Sequence, residues 1–324
     1  MSTKASFIKD LSLPAIAAPM FLISGPKLVI ECCKNGIVGT FPALNQRSSE
    51  GFEEWLIEIK SALADWEKES GKKAAPFGVN LIVHPTNPRL EADLRLCVKH
   101  QVPLIITSLG AVSEVVNAVH SYGGLVFHDV IKKRHAQKAA GAGVDGLILV
   151  AAGAGGHAGT INPMTLVAEV REFFDKNIIL SGCISTGRDI ASALQMGADL
   201  AYMGTRFINA EESKAPEAYR QMIIDAGASD VTYTAAISGV HANFLAASLK
   251  AAGITEEDLK KDTKIDFGKE LDTEAKAWKT IWSAGQGVAT ISDVVSVASL
   301  VEQLKTEFKT AVEEQTKLLE FYPK

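Results

Sequence analysis

The apolar run Leu147-Ile148-Leu149-Val150 breaks into Ala151-Ala152-Gly153-Ala154-Gly155-Gly156, and the next large polar side chain is His157. An apolar run bounded by glycines reads as a buried parallel strand that delivers a loop. Bare glycine backbone lets a ligand lie directly on the chain. An imidazole titrates near neutral pH, so His157 is the candidate proton acceptor at the mouth of that strand. A glycine-rich turn carrying an incidental surface histidine is the alternative.

Two further stretches carry an anion-binding signal. Ser181-Gly182-Cys183-Ile184-Ser185-Thr186-Gly187-Arg188 ends one apolar run and enters a helical pattern, and Tyr202-Met203-Gly204-Thr205-Arg206 ends another. Glycine loops and helix N-termini expose backbone N–H groups that can hold a phosphate. The remaining histidines divide by position. His128 ends a strand and is a pocket candidate, His84 beside Pro85 suits a turn, and His241 reaches the mouth only if its segment folds back. His100, His120 and His135 fall in helical patterns and are expected to face solvent. Cys32, Cys33, Cys97 and Cys183 show no metal-ligand spacing and read as buried or partly buried free thiols, so no metal is expected.

The elements that must position these groups alternate regularly. Eight β-rich runs, Ala15–Met20, Gly36–Pro42, Pro76–Val83, Val102–Leu109, Leu125–Val130, Gly146–Gly153, Asn177–Ile184 and Leu200–Ile208, are separated by segments of helical periodicity. Parallel strands with right-handed crossovers follow, and eight such units close into a (β/α)8 TIM barrel. A doubly wound open sheet is the alternative, but its early GxGxxG turn is missing. Chemistry in a barrel collects at the C-terminal ends of the strands, and phosphate sites form after strands seven and eight. That is where Gly182 and Gly204 fall. Residues 1–209 and 285–324 are expected to form the barrel. Residues 210–284 break the rhythm and are expected to form a helical insertion or lid, with helices over Ala215–Asp225 and Asn243–Ala252 and a charged stretch at Thr255–Thr273. Closing helices are expected over Ser292–Glu320, with Ser292 as N-cap.

A hydrophobic content of 47% with 22% charged residues suits a soluble protein with a large core. A net charge of −5 without a basic cluster argues against nucleic acid. No apolar stretch is long enough for a bilayer, so no membrane span is expected. Met1–Phe7 lacks the apolar core of a signal peptide, which predicts a cytoplasmic protein.

In order and spacing, Ala17-Ala18-Pro19-Met20, Phe77-Gly78-Val79-Asn80, Gly153–Gly159, Ser181-Gly182, Met203-Gly204-Thr205-Arg206-Phe207 and Ala284-Gly285-Gln286 resemble the nitronate monooxygenase family. These proteins, once called 2-nitropropane dioxygenases, are FMN-dependent barrels without metal. The resemblance, from about residue 10 to 300, implies oxidation of a nitronate or nitroalkane with O2 to a carbonyl compound and nitrite. It implies FMN contacts at Asn80 on the isoalloxazine, Met20 beneath the ring and Gly155 against the cofactor, with Gly182, Met203, Gly204 and Thr205 around the phosphate. His157 matches the family's catalytic histidine. Val150 stands where many members have glutamine, and Asp129 where quinone-reducing relatives carry lysine. The alternative activity is that of an FMN-dependent NAD(P)H oxidoreductase of enoyl-thioester or quinone type. The expected partner is a small-molecule substrate, and a homodimer is compatible with the resemblance.

Overall fold

A computed structural model describes residues 4–110, 113–237, 239–260 and 281–322. Eight parallel strands close into a barrel in the order β1 (Ala15–Ala17), β2 (Val38–Pro42), β3 (Phe77–Ile82), β4 (Leu104–Ser108), β5 (Leu125–Val130), β6 (Gly146–Val150), β8 (Asn177–Ser181), β9 (Leu200–Met203). Closure is made by Ile16, which is in register with Val38 on one side and Tyr202 on the other. Strand β7 (Gly156–His157) lies outside this barrel. The fold expectation holds, with shorter strands than the apolar runs. The eighth run divides into β9 and a one-turn helix, α8 (Thr205–Ile208).

Both faces of the strands are covered, which is why the runs are continuously apolar. Interior side chains such as Leu104, Ile106, Phe127, Ile148, Ile179 and Leu200 form one cluster, and the intervening residues pack under the helices. Gly146 makes room inside: a Cβ there would lie 2.6 Å from the Phe127 ring. Phe7, Ile8 and Leu11 pack against the same cluster, so the N-terminal segment plugs one end and leaves the other for a site.

The helices have local reasons. In α2 (Ser49–Ser70), Ser48 accepts from Gly51 N, and Gly71 at φ 67° ends the helix left-handed. The helix α6 (Pro163–Arg171) begins with Asn162 accepting from Met164 N and proline in the first turn. The last long helix, α11 (Val297–Lys317), packs on α7 (Gly187–Gln195), where a Cβ on Gly187 would fall 2.0 Å from Leu304 O. Its N-cap is Ser296, which accepts from Ser299 N, and not Ser292. The cap must sit where the chain leaves the Ala210–Val295 bridge, and Ser292 lies before it.

Residues 210–260 also depart from expectation. Helix α9 (Glu217–Asp225) is present, but β10 (Val231–Thr234) and β11 (Ala242–Leu245) make an antiparallel pair, and only Ala246–Ala251 is helical (α10). Asn243–Leu245 is strand because it pairs with β10 and β7, a tertiary demand that local periodicity does not carry. The charged stretch continues into 261–280, outside the described residues. Among the described residues, no helix is long and apolar enough to cross a membrane.

Candidate active site

At the C-terminal end of the barrel lies a cavity of about 410 Å³. Alternation along each strand sends one last interior side chain into its floor. The polar ones are Asn80, Ser108, Asp129, Ser181 and Tyr202, and Pro42 and Val150 supply apolar floor. Asn80 Nδ2 donates to Ser108 Oγ at 2.8 Å and to Ile106 O at 3.3 Å. Ser108 Oγ donates in turn to Asp129 Oδ2 at 2.6 Å. Three adjacent strand ends are thus tied into one chain. Asp129 Oδ1, also out of reach of solvent, has no partner among the described residues. Burial pushes the Asp129 carboxyl up to about 7 against the pull of the Ser108 hydrogen bond, and the Asp129 charge adds to the burial that raises the Tyr202 phenol.

One wall is formed by Met20 and its neighbours after β1, the opposite rim by Gly155, Gly156 and His157. Met20 is held by Ser24 Oγ, which accepts from Met20 N at 3.0 Å, and by Asn45 Nδ2, which donates to Met20 O at 3.0 Å. His157 sits on β7, antiparallel to β11, in register with Ala242. Its ring is half-buried and makes no hydrogen bond with the described residues. Burial pushes it down to about 4, so it is neutral at physiological pH and faces a mainly apolar mouth. Tyr219 and Trp282 stack there with centroids 4.9 Å apart, beside Phe244 and Ile281.

Beside the main cavity is a recess of about 20 Å³ formed by Gly153–Gly155, Ser181–Ser185, Gly204, Thr205, Gly285 and Gly287. It shares Gly155, Ser181, Tyr202, Gly204 and Thr205 with the larger space. The backbone here leaves little room. A Cβ on Gly155 would lie 2.8 Å from Gly285 N, and one on Gly182, at φ 125°, 2.9 Å from Ala152 O. Cys183 next to it is also left-handed, at φ 56°, an unusual conformation for a side-chain-bearing residue. Among the described residues, the N–H groups of Gly182, Cys183 and Ile184 find no backbone acceptor. The recess therefore suits an anion of phosphate size, and the cavity next to it a ring system; a flavin mononucleotide fits this donor set. The N-terminus of α7 is a different matter. Asp189 takes the N–H groups of Ser185 and Thr186, and Glu307 takes that of Gly187, so loop backbone and not this helix end faces the recess.

The residues picked from sequence fall unevenly around this space. Met20, Asn80, Gly155, His157, Gly204 and Thr205 line the cavity, and Gly182 lines the recess. Met203 is fully buried with its side chain in the layer under the helices and its carbonyl accepting from Ala18 N, and it lines neither the cavity nor the recess. His128 points away from the cavity, with Nδ1 2.7 Å from Thr107 Oγ1, because it has the opposite strand parity to Asp129. The segment of His241 does fold back, yet the ring stacks on Tyr233 outside the cavity and only its carbonyl, accepting from Ala158 N, serves the mouth. His84 is in a turn with Thr86, as expected, while His100 and His120 pair with Glu53 and Asp145. Cys32, Cys33 and Cys97 are buried, but Cys183 is exposed. Ser108 was missed by sequence reasoning: its strand end was in view, but nothing local marks a hydroxyl bridging two neighbouring strands.

A family model described as nitronate monooxygenase matches residues 49–307. A nitronate monooxygenase of Paraburkholderia phytofirmans is 26% identical over 355 aligned positions, covering 93% of each chain. A (3aS,4S,5R,7aS)-5-hydroxy-7a-methyl-1-oxo-octahydro-1H-indene-4-carboxyl-CoA dehydrogenase of Rhodococcus jostii is 26% identical over 243 residues. That match covers 74% of this chain and 65% of the dehydrogenase, just under two thirds of its length. Among solved structures, a nitroalkane oxidase of Streptomyces ansochromogenes has a TM-score of 0.79 at 23% identity, covering 96% of this chain and 100% of that one. FabK of Thermotoga maritima has a TM-score of 0.78 at 22% identity, covering 96% and 97%. These two likenesses concern the fold.

Proposed function

The chain belongs to the nitronate monooxygenase family of oxidoreductases, and from that premise we propose that it binds FMN and oxidises alkyl nitronates with O2 to carbonyl compounds and nitrite. The observation that carries this reading is a glycine-lined recess adjoining a cavity that His157, neutral and without a hydrogen-bond partner among the described residues, also lines. FMN, when bound, supplies the electron transfer and the reaction with oxygen. The protein's own part is positioning. Gly182, Gly204 and Thr205 hold the phosphate on bare backbone, and Asn80 and Met20 face the ring. Neutral His157 donates one hydrogen bond to the nitro group of a nitronate, or accepts the α-proton of a neutral nitroalkane at its unprotonated ring nitrogen. Its low pKa keeps the ring unprotonated at neutral pH, so the free nitrogen is available to accept the α-proton while the other nitrogen donates. Tyr219, Trp282 and Phe244 limit water at the mouth, and the described segments that carry them, 210–237, 239–260 and 281–284, act as its cover. The proposal extends to a cytoplasmic enzyme with small, diffusible substrates.

A second reading, NAD(P)H-dependent chemistry on a thioester or quinone, draws its support from the dehydrogenase relative named for a carboxyl-CoA compound. One experiment separates the two. The purified full chain is expected to be yellow, to release FMN on denaturation, and to be reduced anaerobically by a nitronate. Reduction by NADH and not by the nitronate would select the second reading, and failure to bind any flavin would overturn both.

A further inference from the structure

Gly155, Ser181, Tyr202, Gly204 and Thr205 line both the cavity and the recess, and so mark where one opens into the other. The two glycines offer no side chain, and Thr205 Oγ1 already accepts from Gly285 N at 2.9 Å. Tyr202 is the large side chain among them. Alternation along β9 turns Leu200 and Tyr202 into the barrel and Met203 out under the helices. Tyr202 stands in register with Ile16 on β1 and Ser181 on β8. A buried phenol ordinarily finds a partner for its hydroxyl. Tyr122, Tyr219 and Tyr233 do so, donating to the carbonyls of Val102, Ser283 and Ala158. Tyr202 does not. The residue is 7% exposed and its OH makes no hydrogen bond with the described residues, yet, unlike Asp129 Oδ1, that oxygen is not cut off from solvent. Its open side faces the two spaces that Tyr202 lines.

From this geometry we propose that Tyr202 binds the cofactor directly, its OH donating a hydrogen bond to the hydroxyl-bearing chain that joins the flavin ring to the phosphate. The inference rests on the FMN reading above and deepens it. A ligand with its ring in the cavity and its phosphate in the recess must pass its linker across the residues that border both. Each hydroxyl of that chain accepts as well as donates, so it pairs with a phenol. Burial raises the Tyr202 phenol and the Asp129 charge adds to this, which keeps it a neutral donor at working pH. No protein hydrogen bond has to break for Tyr202 to bind. Left unpaired once a ligand covers it, the same hydroxyl would carry the desolvation cost of a buried polar group. Tyr202 therefore anchors the middle of the cofactor, between Asn80 and Met20 at the ring and the glycine backbone at the phosphate.

Flavins that differ only in the chain and the phosphate make the test. Three are titrated into the full-length protein freed of bound flavin, for wild type and Tyr202→Phe, with flavin fluorescence as the readout. They are FMN, riboflavin, which keeps the chain without the phosphate, and lumiflavin, whose ring carries a methyl group in place of the chain. The substitution removes one oxygen that no described residue holds, so the thermal midpoint without ligand is expected to match wild type. The dissociation constants for FMN and riboflavin are expected to rise by the same factor, about 3- to 10-fold, the usual scale of one neutral hydrogen bond, and that for lumiflavin to stay unchanged. Should Tyr202→Phe not fold, Tyr202→Met, which also lacks the hydroxyl, takes its place in the comparison. Unchanged binding of FMN and riboflavin would overturn the proposal. So would a weakening confined to FMN, which puts the hydroxyl on the phosphate, or one shared by lumiflavin, which makes it a ring contact or a structural group. In each of these cases FMN binding by the wild type stands. A wild type that binds no flavin would overturn the functional reading itself, and this proposal with it.

Discussion

His157 stands in register with Ala242 across an antiparallel pair, so the candidate proton acceptor is carried by a strand whose partner belongs to the segment after the barrel. The same contact is reinforced by Asn243 Nδ2, which donates to Ala154 O at 2.7 Å, and by Tyr233 OH, which donates to Ala158 O at 3.0 Å. The barrel supplies the glycine-lined recess, and the inserted strands hold the strand that carries the histidine at the rim of the cavity.

Removing the imidazole separates its two roles. His157→Asn is expected to keep FMN and to lose about 10²-fold or more in turnover of a neutral nitroalkane, with a smaller loss on the preformed nitronate. Assays of both substrate forms with flavin content measured in each would decide. Equal losses would mean that His157 only binds or orients. Since burial holds its pKa at about 4, the base form persists above that pH. Wild-type kcat/KM should therefore show a His157 inflection only as pH falls through about 4.

Two glycines of the cradle are expected to behave differently. A Cβ on Gly204 meets nothing closer than Ala18 Cβ at 3.7 Å, whereas Gly182 sits at φ 125° with Ala152 O 2.9 Å from an added Cβ. Gly204→Val should leave the thermal midpoint close to wild type while weakening FMN by about 10-fold or more, by bulk in the ligand's path. Gly182→Val should lose FMN and also on the order of 1–3 kcal/mol of stability through backbone strain. Unchanged FMN affinity in Gly204→Val would take this glycine out of the site.

Asn243 tests the hold of the inserted strands on the mouth. It is 5% exposed, and Asn243→Ala strips a buried carbonyl of its donor, a loss of about 1–3 kcal/mol. The expectation is a lower kcat with near-normal FMN affinity, because His157 loosens and the recess does not. Equal weakening of FMN would show that Asn243 supports the cradle instead.

Acid stability should report His128. It is 5% exposed, and burial, with His135 and Lys138, holds it at about 4, against about 6.5 for a free imidazole. A depressed pKa means the unfolded chain binds the extra proton, so this contribution is full above about pH 6.5 and is lost as pH falls toward 4. Its size is on the order of 3 kcal/mol. Asp129 has the opposite sign, its stabilisation being present at low pH and lost as pH rises through about 7. Comparing His128→Gln with wild type cancels the Asp129 effect. The variant should gain several degrees in relative thermal midpoint on going from pH 6.5 to 4.5, and a constant offset would refute the assignment.

The sequence by itself determined the β/α alternation, because a strand covered on both faces must be apolar throughout and each crossover helix needs a single apolar stripe. It also determined where ligand chemistry collects, since glycine loops at Gly153–Gly156, Gly182 and Gly204 can hold bare backbone only at strand ends. The tertiary structure decided strand parity. His128 and Asp129 are adjacent, and a fully buried strand has no polar alternation to say which faces the cavity. It also decided what distant segments build together. Gly285 N donates to Thr205 Oγ1 at 2.9 Å across 80 positions, and β11 pairs with β7 across a similar span. No local pattern encodes such pairs, because their free energy exists only once the barrel has brought both ends to the same rim.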